Sequence, residues 1–386
     1  MKLSSDFIEK NQHFLKSCIL YEVLQKKPIF DSYRNFCDTV GKDAMDYPDF
    51  EFWYYRFYHG NRDLDYDRSV DPEPKALVDM PVVLMKKITQ NLDSIERARL
   101  RYMNHVIQNV VDSFPPVFGV IQISVSDTSM SWWLDERRFS CYKEDNGCKF
   151  VRSDSPKVER SEECYMKKSL KYLNPLFKMP NLQVDHFSLD FYDEMPDRDD
   201  LFPVPLNAKS VHIDGYEESK VAHFLAAMTP GYLESIRIKI MNLRETENYR
   251  MIFGTDQFKQ AKNVEFVRMY KKFNVADLVQ FSHLKSFKCS LTSENTFQDV
   301  PRIRDIISTF EKLESCELKF MSRRNRFPIR AFAEALGEEV PIEPLTQGER
   351  LTITHRDQIP ESNECLEFKI KEEEEYYCLV NIVKVR

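Results

Sequence analysis

Between residues 184 and 318 one spacing recurs six times: an apolar residue, followed by apolar residues three and five positions later. The instances are Val184, Phe187, Leu189; Ala208, Val211, Ile213; Leu233, Ile236, Ile238; Val264, Val267, Met269; Leu284, Phe287, Cys289; and Leu313, Cys316, Leu318. Their first members lie 24, 25, 31, 20 and 29 residues apart. Two apolar residues at i and i+2 mark one face of a strand. The segments between them, ESKVAHFLAAM, NYRMIFGTDQFKQA, VADLVQF and IRDIISTFEK, carry helical spacing instead. A strand-then-helix unit repeated every 20 to 31 residues is the mark of a degenerate, leucine-rich-repeat-like solenoid. The near-identical phrases LESIRI, LKSFKC and LESCEL argue for repetition over chance.

On either side of the repeat the periodicity changes. VIQISVS, MSWWLD, RRFSCYK and CKFVRS alternate with period two, and EDNG supplies a turn, so residues 117–160 read as short antiparallel strands. The helix SEECYMKKSLKYLNPLF leads into the repeat region, 161–386. The chain closes with RLTITH, CLEFKIK and YYCLVNIVKV, strands expected to cap the open edge of the sheet. The whole is expected to be an α+β and α/β multidomain chain, with helical units before the repeat.

Residues 14–60 read as three helices. FLKSCILYEVLQ ends before Pro28, IFDSYRNFCDTVG closes on Gly41, and DYPDFEFWYYRFYHG stops at Gly60. Phe14, Ile19, Leu20, Tyr21, Leu24, Tyr33, Phe36, Val40, Phe52, Trp53 and Phe57 are the expected core. An Asp- and Pro-rich linker follows at 61–76. From Leu77 to Asp112 a Met-Pro step opens a run with Leu84, Ile88, Leu92, Ile95, Leu100, Met103, Val106, Ile107, Val110 and Val111 apolar, ended by Pro115-Pro116. This spacing gives two or three short amphipathic helices whose apolar stripes a lone hairpin cannot cover.

Chemistry of the catalytic kind is absent from the pattern. There is no Gly-x-Ser-x-Gly elbow, no phosphate-binding loop and no His-Glu-x-x-His, and only 9 Gly in 386 residues to build a backbone cradle. Cys141, Cys148 and Cys164 with His186 match no zinc framework. Cys289 beside His283 is a pairing that any chain with nine Cys and eight His offers. No enzyme activity, cofactor or metal is expected. The nine irregularly spaced cysteines suit reduced thiols, and no run of 18 apolar residues occurs, so the expectation is a cytoplasmic or nuclear protein without a membrane span. The net charge of −7 argues against a general nucleic-acid binder. SRRNRFPIR, with Arg323, Arg324, Arg326 and Arg330, is the strongest basic cluster and a candidate contact for an acidic target.

Three resemblances follow from these residues. The 14–60 unit, with ILYEVL, Val40-Gly41, and Trp53 before RFYHG, is similar to the helix-turn-helix of mariner-type transposases. Residues 28–60 carry a net charge of −3, which points to a packing or protein-contact role over DNA binding. The 77–116 segment resembles an F-box, the motif that docks a substrate receptor onto the Skp adaptor of a cullin-RING ubiquitin ligase. With FSHLKSFKCSLTSENTF and FEKLESCELKF downstream, the order of parts resembles the F-box A family, whose C-terminal region is the FTH domain. That resemblance implies a non-enzymatic substrate receptor. Met80, Pro81, Leu84, Ile88, Leu92, Ile95 and Leu100 would face the adaptor, and the repeat domain would hold a target. An interaction scaffold outside ubiquitination is the alternative, and a DNA-binding protein acting through 14–60 comes after it.

Overall fold

The computed structural model describes residues 11–41, 44–71, 79–191, 205–241, 249–267, 273–292, 296–321, 329–338, 351–360, 362–374 and 377–385. They fall in two compact units, Met1–Asp79 and Met80–Arg386.

The first unit is helical: α1 Gln12–Leu24, α2 Ile29–Thr39 and α3 Tyr47–Tyr58. Pro28 fixes the turn into α2. Asp46 caps α3 by accepting from the Asp49 N–H at 3.1 Å, with Pro48 in the first turn. Leu15, Ile19 and Val23 on α1 meet Phe36, Val40, Phe50, Trp53, Tyr54 and Phe57 in the core. Phe14, Tyr21 and Leu24, expected inside, are exposed. Helix α1 carries two apolar stripes, and the stripe at i, i+4, i+8 from Leu15 is the one that packs.

The second unit begins with three short helices, α4 Val82–Asn91, α5 Ser94–Arg101 and α6 His105–Asp112. A fourteen-stranded sheet follows. Its first strands, β1 Val117–Val125, β2 Ser129–Leu134, β3 Arg137–Glu144, β4 Gly147–Arg152 and β5 Ser155–Ser161, form an antiparallel meander. At the β4–β5 side, a Cβ on Gly147 would lie 2.0 Å from the Ser161 carbonyl oxygen, and its φ of +127° suits only glycine. Helix α7 Tyr165–Phe177 covers this meander, placing Tyr172 against Trp132, Phe139 and Phe150.

The parallel centre then runs in chain order: β6 Gln183–Phe191 beside β1, then β7 Asn207–Gly215, β8 Ser235–Ile240, β9 Asn263–Phe266, β10 Ser286–Leu291 and β11 Ser315–Met321. Beyond β11 the strands β14 Tyr377–Val385, β13 Cys365–Glu374 and β12 Thr352–Gln358 continue antiparallel, so β11 has no open edge. Connections on the core face include α8 Glu218–Ala226, α9 Arg250–Gly254, α10 Asp256–Gln260, a 3₁₀ turn at Val275–Phe281, and α11 Thr296–Ser308; α12 Ile329–Ala335 follows β11.

The pairing re-phases one unit of the apolar pattern. Phe187, Val211, Ile236, Val264, Phe287 and Cys316 stand in one row, so the fourth instance is Ala261, Val264, Phe266 and not Val264, Val267, Met269. Ala261 and Phe266 are buried, whereas Val267 is only half-buried and Met269 lies outside the described residues. The corrected spacings are 24, 25, 28, 23 and 29. One position earlier, His186, Ser210, Ser235, Asn263, Ser286 and Ser315 form a polar row on the other face. Asn263 is its hub, donating to Ser235 Oγ at 3.2 Å and accepting from Ser286 Oγ at 2.7 Å. The intervening segments differ in kind from unit to unit, so the architecture is a mixed α/β sheet domain and not a uniform leucine-rich-repeat solenoid.

Candidate interaction surfaces

Helix α4 starts where Pro81, in the cap position with φ −53° and ψ 134°, turns the chain. Met85 and Thr89, one turn apart, are its buried face, and Thr89 Oγ1 donates back to the Met85 carbonyl at 2.9 Å. Beside that face Leu84 and Ile88 are 48% and 40% exposed, and Val83 is 67% exposed. Val82 and Pro81 are exposed with them. Isolated exposed apolar residues are ordinary, but five within one helical segment form a patch of the kind that marks contact sites.

The frame beneath this patch is fixed by polar contacts. Asp93 caps α5, accepting from Ile95 and Glu96 N–H at 2.9 Å, while Glu96 accepts from the Asp93 N–H at 3.0 Å. The Asp93-x-x-Glu96 spacing is what permits this reciprocal capping box. Arg97 donates to the Leu92 and Gln90 carbonyls at 2.9 and 3.1 Å, filling acceptors at the end of α4. Arg101 makes a two-pronged contact with Asp112 on α6 at 2.6 and 3.0 Å. The helices are tied to the sheet domain through Arg99 to Tyr172 Oη at 3.2 Å, Ser94 Oγ to the Val117 carbonyl at 3.0 Å, and an Arg137–Asp93 ion pair.

Of the residues expected to face an adaptor, Pro81, Leu84 and Ile88 are exposed together. Met80, Leu92 and Leu100 are half-buried. Ile95 is a correction: it packs inside with Ala98, Ile107, Val110 and Val111, because α5 turns that face toward α6. Val82 and Val83, not singled out from the sequence, belong to the exposed patch. Leu77 and Val78, which open the apolar run, lie outside the described residues. So do Arg323, Arg324 and Arg326. Arg330 falls in α12, but its side chain is not described.

In the first unit three of the cations, Lys16, Arg56 and Arg68, are engaged with aromatic rings. Lys16 sits 3.9 Å above the Trp53 ring and donates to the Leu64 carbonyl at 2.8 Å. Arg56 stacks on Tyr66 at 3.3 Å, and Arg68 on Phe52 at 4.3 Å while pairing with Asp49. Helix α3 presents Tyr55, Tyr58 and His59 outward. From 11 to 71 eight Lys and Arg stand against eleven Asp and Glu, a net of −3, the wrong sign for phosphate contacts.

The thiols are structural. Burial and the neighbouring Cys148 push the Cys141 thiol up to about 12, and burial raises Cys289 and Cys316 further. His283 Nε2 lies 2.9 Å from the Phe258 carbonyl oxygen and not at Cys289. Cys164 caps α7 and is exposed. Among the described residues no group of three or more His, Cys, Asp or Glu is arranged to hold a metal ion, and no helix is long and apolar enough to cross a membrane.

Architecture and surfaces together define a modular protein, a small helical unit and a large sheet domain that opens with three short helices bearing an exposed apolar patch. Comparison with known families matches the HTH domain in Mos1 transposase at residues 12–61 and the FTH domain at 203–335. F-box A protein 224 of Caenorhabditis elegans is 29% identical over 323 residues, covering 80% of this chain and 83% of that protein. F-box A protein 155 of the same organism is 22% identical over 341 residues, 83% of this chain and 81% of that one. No solved structure matches. The chain is thus similar to F-box A proteins over most of its length.

Proposed function

We propose that the chain is the substrate-recognition subunit of a Skp–cullin–F-box ubiquitin ligase. Its α4 patch docks a Skp-type adaptor, and its sheet domain holds a target protein. The observation that carries this reading is the exposed ridge of Pro81, Val82, Val83, Leu84 and Ile88 on a helix whose opposite face is already packed. An amphipathic helix that presents apolar residues one turn apart suits a helix-in-groove contact. The chain would then supply proximity only, and the associated ligase would transfer ubiquitin in the cytoplasm or nucleus. The strand-helix units would act as a leucine-rich-repeat-like scaffold, offering the open face of the sheet to the target.

Co-expression with a Skp-type adaptor and size-exclusion chromatography test the reading, comparing wild type with Leu84→Asp/Ile88→Asp. Comigration by wild type, lost in the variant while its circular dichroism is unchanged, is the expected result. A wild-type chain that elutes alone, or a variant that still comigrates, refutes the α4 assignment. An interaction scaffold outside ubiquitination then becomes the better reading.

A further inference from the structure

Between α8 and the α9–α10 pair lies a broad-mouthed cleft of about 540 Å³, well within the size of ordinary ligand pockets. Ser219, Ala222 and His223 of α8 line one side, and Arg250, Met251 and Gly254 of α9 line the other. Ala222 is buried and Met251 is 56% exposed, so an adaptable apolar side chain borders the opening. Gly254 keeps the cleft open. Its φ lies outside the left-handed region, so the backbone there does not need glycine, and an added Cβ would meet nothing within 4 Å.

The charge around the cleft has one sign. Among the described residues no acidic side chain lines it, and its permanent charge is Arg250. Elsewhere in the sheet domain Arg237, Lys262 and Lys285 each pair with a glutamate, at 3.7, 2.6 and 2.6 Å. Arg250 is exposed, and its guanidinium makes no hydrogen bond or ion pair among the described residues. Two carboxylates close by in sequence are already engaged: Glu218 accepts from the Tyr249 and Met251 N–H groups, and Asp256 stands 3.9 Å from Lys259. The same contacts of Glu218 pin the lip that carries Arg250 and Met251. Tyr249, just before that lip, is held at φ 60°. A bulky residue in that region and a buried carboxylate given over to two N–H groups are costs a simple connection does not require, and such costs gather at binding sites.

We propose that this cleft receives a segment of the target protein in which a carboxylate side chain stands beside an aliphatic one. Arg250 meets the carboxylate with its planar fork, which matches two oxygens at once. Met251 and Ala222 receive the aliphatic neighbour, and the exposed Ser219 hydroxyl is free to bond the backbone of the segment. A single unpaired guanidinium suits a carboxylate, whereas phosphate-reading sites gather several arginines.

The inference rests on the reading of the sheet domain as the target-binding half, yet it is tested separately from adaptor docking. Four fluorescent mixtures of hexapeptides, randomised at the outer positions, carry Leu-Glu, Leu-Gln, Ser-Glu or Ser-Gln at the centre. Their binding to the full chain is read by fluorescence anisotropy at constant ionic strength. The Leu-Glu mixture should bind saturably and about tenfold more tightly than the Leu-Gln and Ser-Glu mixtures. Arg250→Gln should erase the preference for Glu over Gln while keeping that for Leu over Ser, and Arg250→Lys should restore part of it. Gly254→Phe, which fills the cleft, should lose binding of every mixture with its circular dichroism unchanged. Equal binding of Glu and Gln mixtures, a wild-type response from Arg250→Gln or from Gly254→Phe, or binding only when phosphoserine replaces the Glu would overturn the proposal. Both variants should still comigrate with the adaptor, so a failure here is distinct from a failure of α4 docking.

Discussion

Glu218 has one of the least exposed carboxylates described, 2% exposed at the first position of α8, and it acts at a distance in sequence. Its Oε2 accepts from the Tyr249 N–H at 3.1 Å and its Oε1 from the Met251 N–H at 2.8 Å, which caps the first turn of α9. Tyr249 is held there in the left-handed region, φ 60° and ψ 14°, a conformation that costs a bulky side chain about 1–2 kcal/mol. Glu218→Ala removes both acceptors and leaves two N–H groups without a carboxylate. At about 1.5–3 kcal/mol for each hydrogen bond to a charged group, the loss comes to roughly 3–6 kcal/mol. Glu218→Gln keeps one carbonyl oxygen but turns an amide donor toward the other N–H, so about half of that loss is expected. The assay is amide hydrogen exchange on the full chain, with protection read over 249–267. Faster exchange in the order wild type, Gln, Ala is expected, concentrated in α9 and α10. An Ala variant within about 0.5 kcal/mol of wild type would refute the cap as the element that holds this segment.

Two further outcomes follow from the same kind of accounting. Arg101→Met and Asp112→Asn each break a two-pronged contact whose side chains are 13% and 24% exposed, and each should cost about 1–3 kcal/mol; a double-mutant cycle in urea showing strictly additive losses would mean the pair is not coupled. Asp190 gives a pH signature. Burial, and then the charge of Asp214 on the neighbouring strand, hold its folded carboxyl above the ordinary value of about 3.9. Between the two values the folded state binds more protons than the unfolded state, and stability falls as pH rises. Asp190→Asn should remove that decline, so the stability gap between variant and wild type should widen with pH and level off once the carboxyl is ionised. A gap that is constant with pH would count against an unpaired carboxylate.

How much of this was readable in the chain depended on whether one register satisfied the pattern. Around β9 the sequence AKNVEFVRM has apolar residues at 261, 264, 266, 267 and 269, so two phases of the 1, 4, 6 spacing fit equally. Strand pairing decides between them, by aligning Asn263 with Ser235 and Ser286. Helix α1 posed the same ambiguity. Leu15, Ile19, Val23 and Phe14, Tyr21, Leu24 are both helical stripes, and only the partner helices select the aliphatic one. The α4–α6 segment was legible as amphipathic helices, but Ile95 and Leu84 have equal apolar character, and their opposite fates depend on where α6 packs. The Asp190–Asp214 pair left no sequence signal. The two lie 24 residues apart, and only the parallel register makes them neighbours.

The proposed docking patch on α4 also depends on this packing. A ten-residue helix such as α4 is marginal in water on its own, since nucleation outweighs so few backbone hydrogen bonds. Here Met85 and Thr89 anchor it, and Arg97 fills two of its terminal carbonyls. Leu84 and Ile88 are therefore already set one turn apart before any partner arrives. A partner meeting a preformed ridge bears little ordering cost, which for a flexible segment takes about 2–5 kcal/mol from the gross interaction. A few half-exposed aliphatic side chains offer only about 1 kcal/mol each on complete burial, half of the full transfer value. A patch this small would suffice for docking only with its frame built beforehand. On the proposed reading, truncating the buried Met85, or Arg97 that fills the carbonyls at the end of α4, should weaken adaptor capture by loosening the ridge and not by removing a contact.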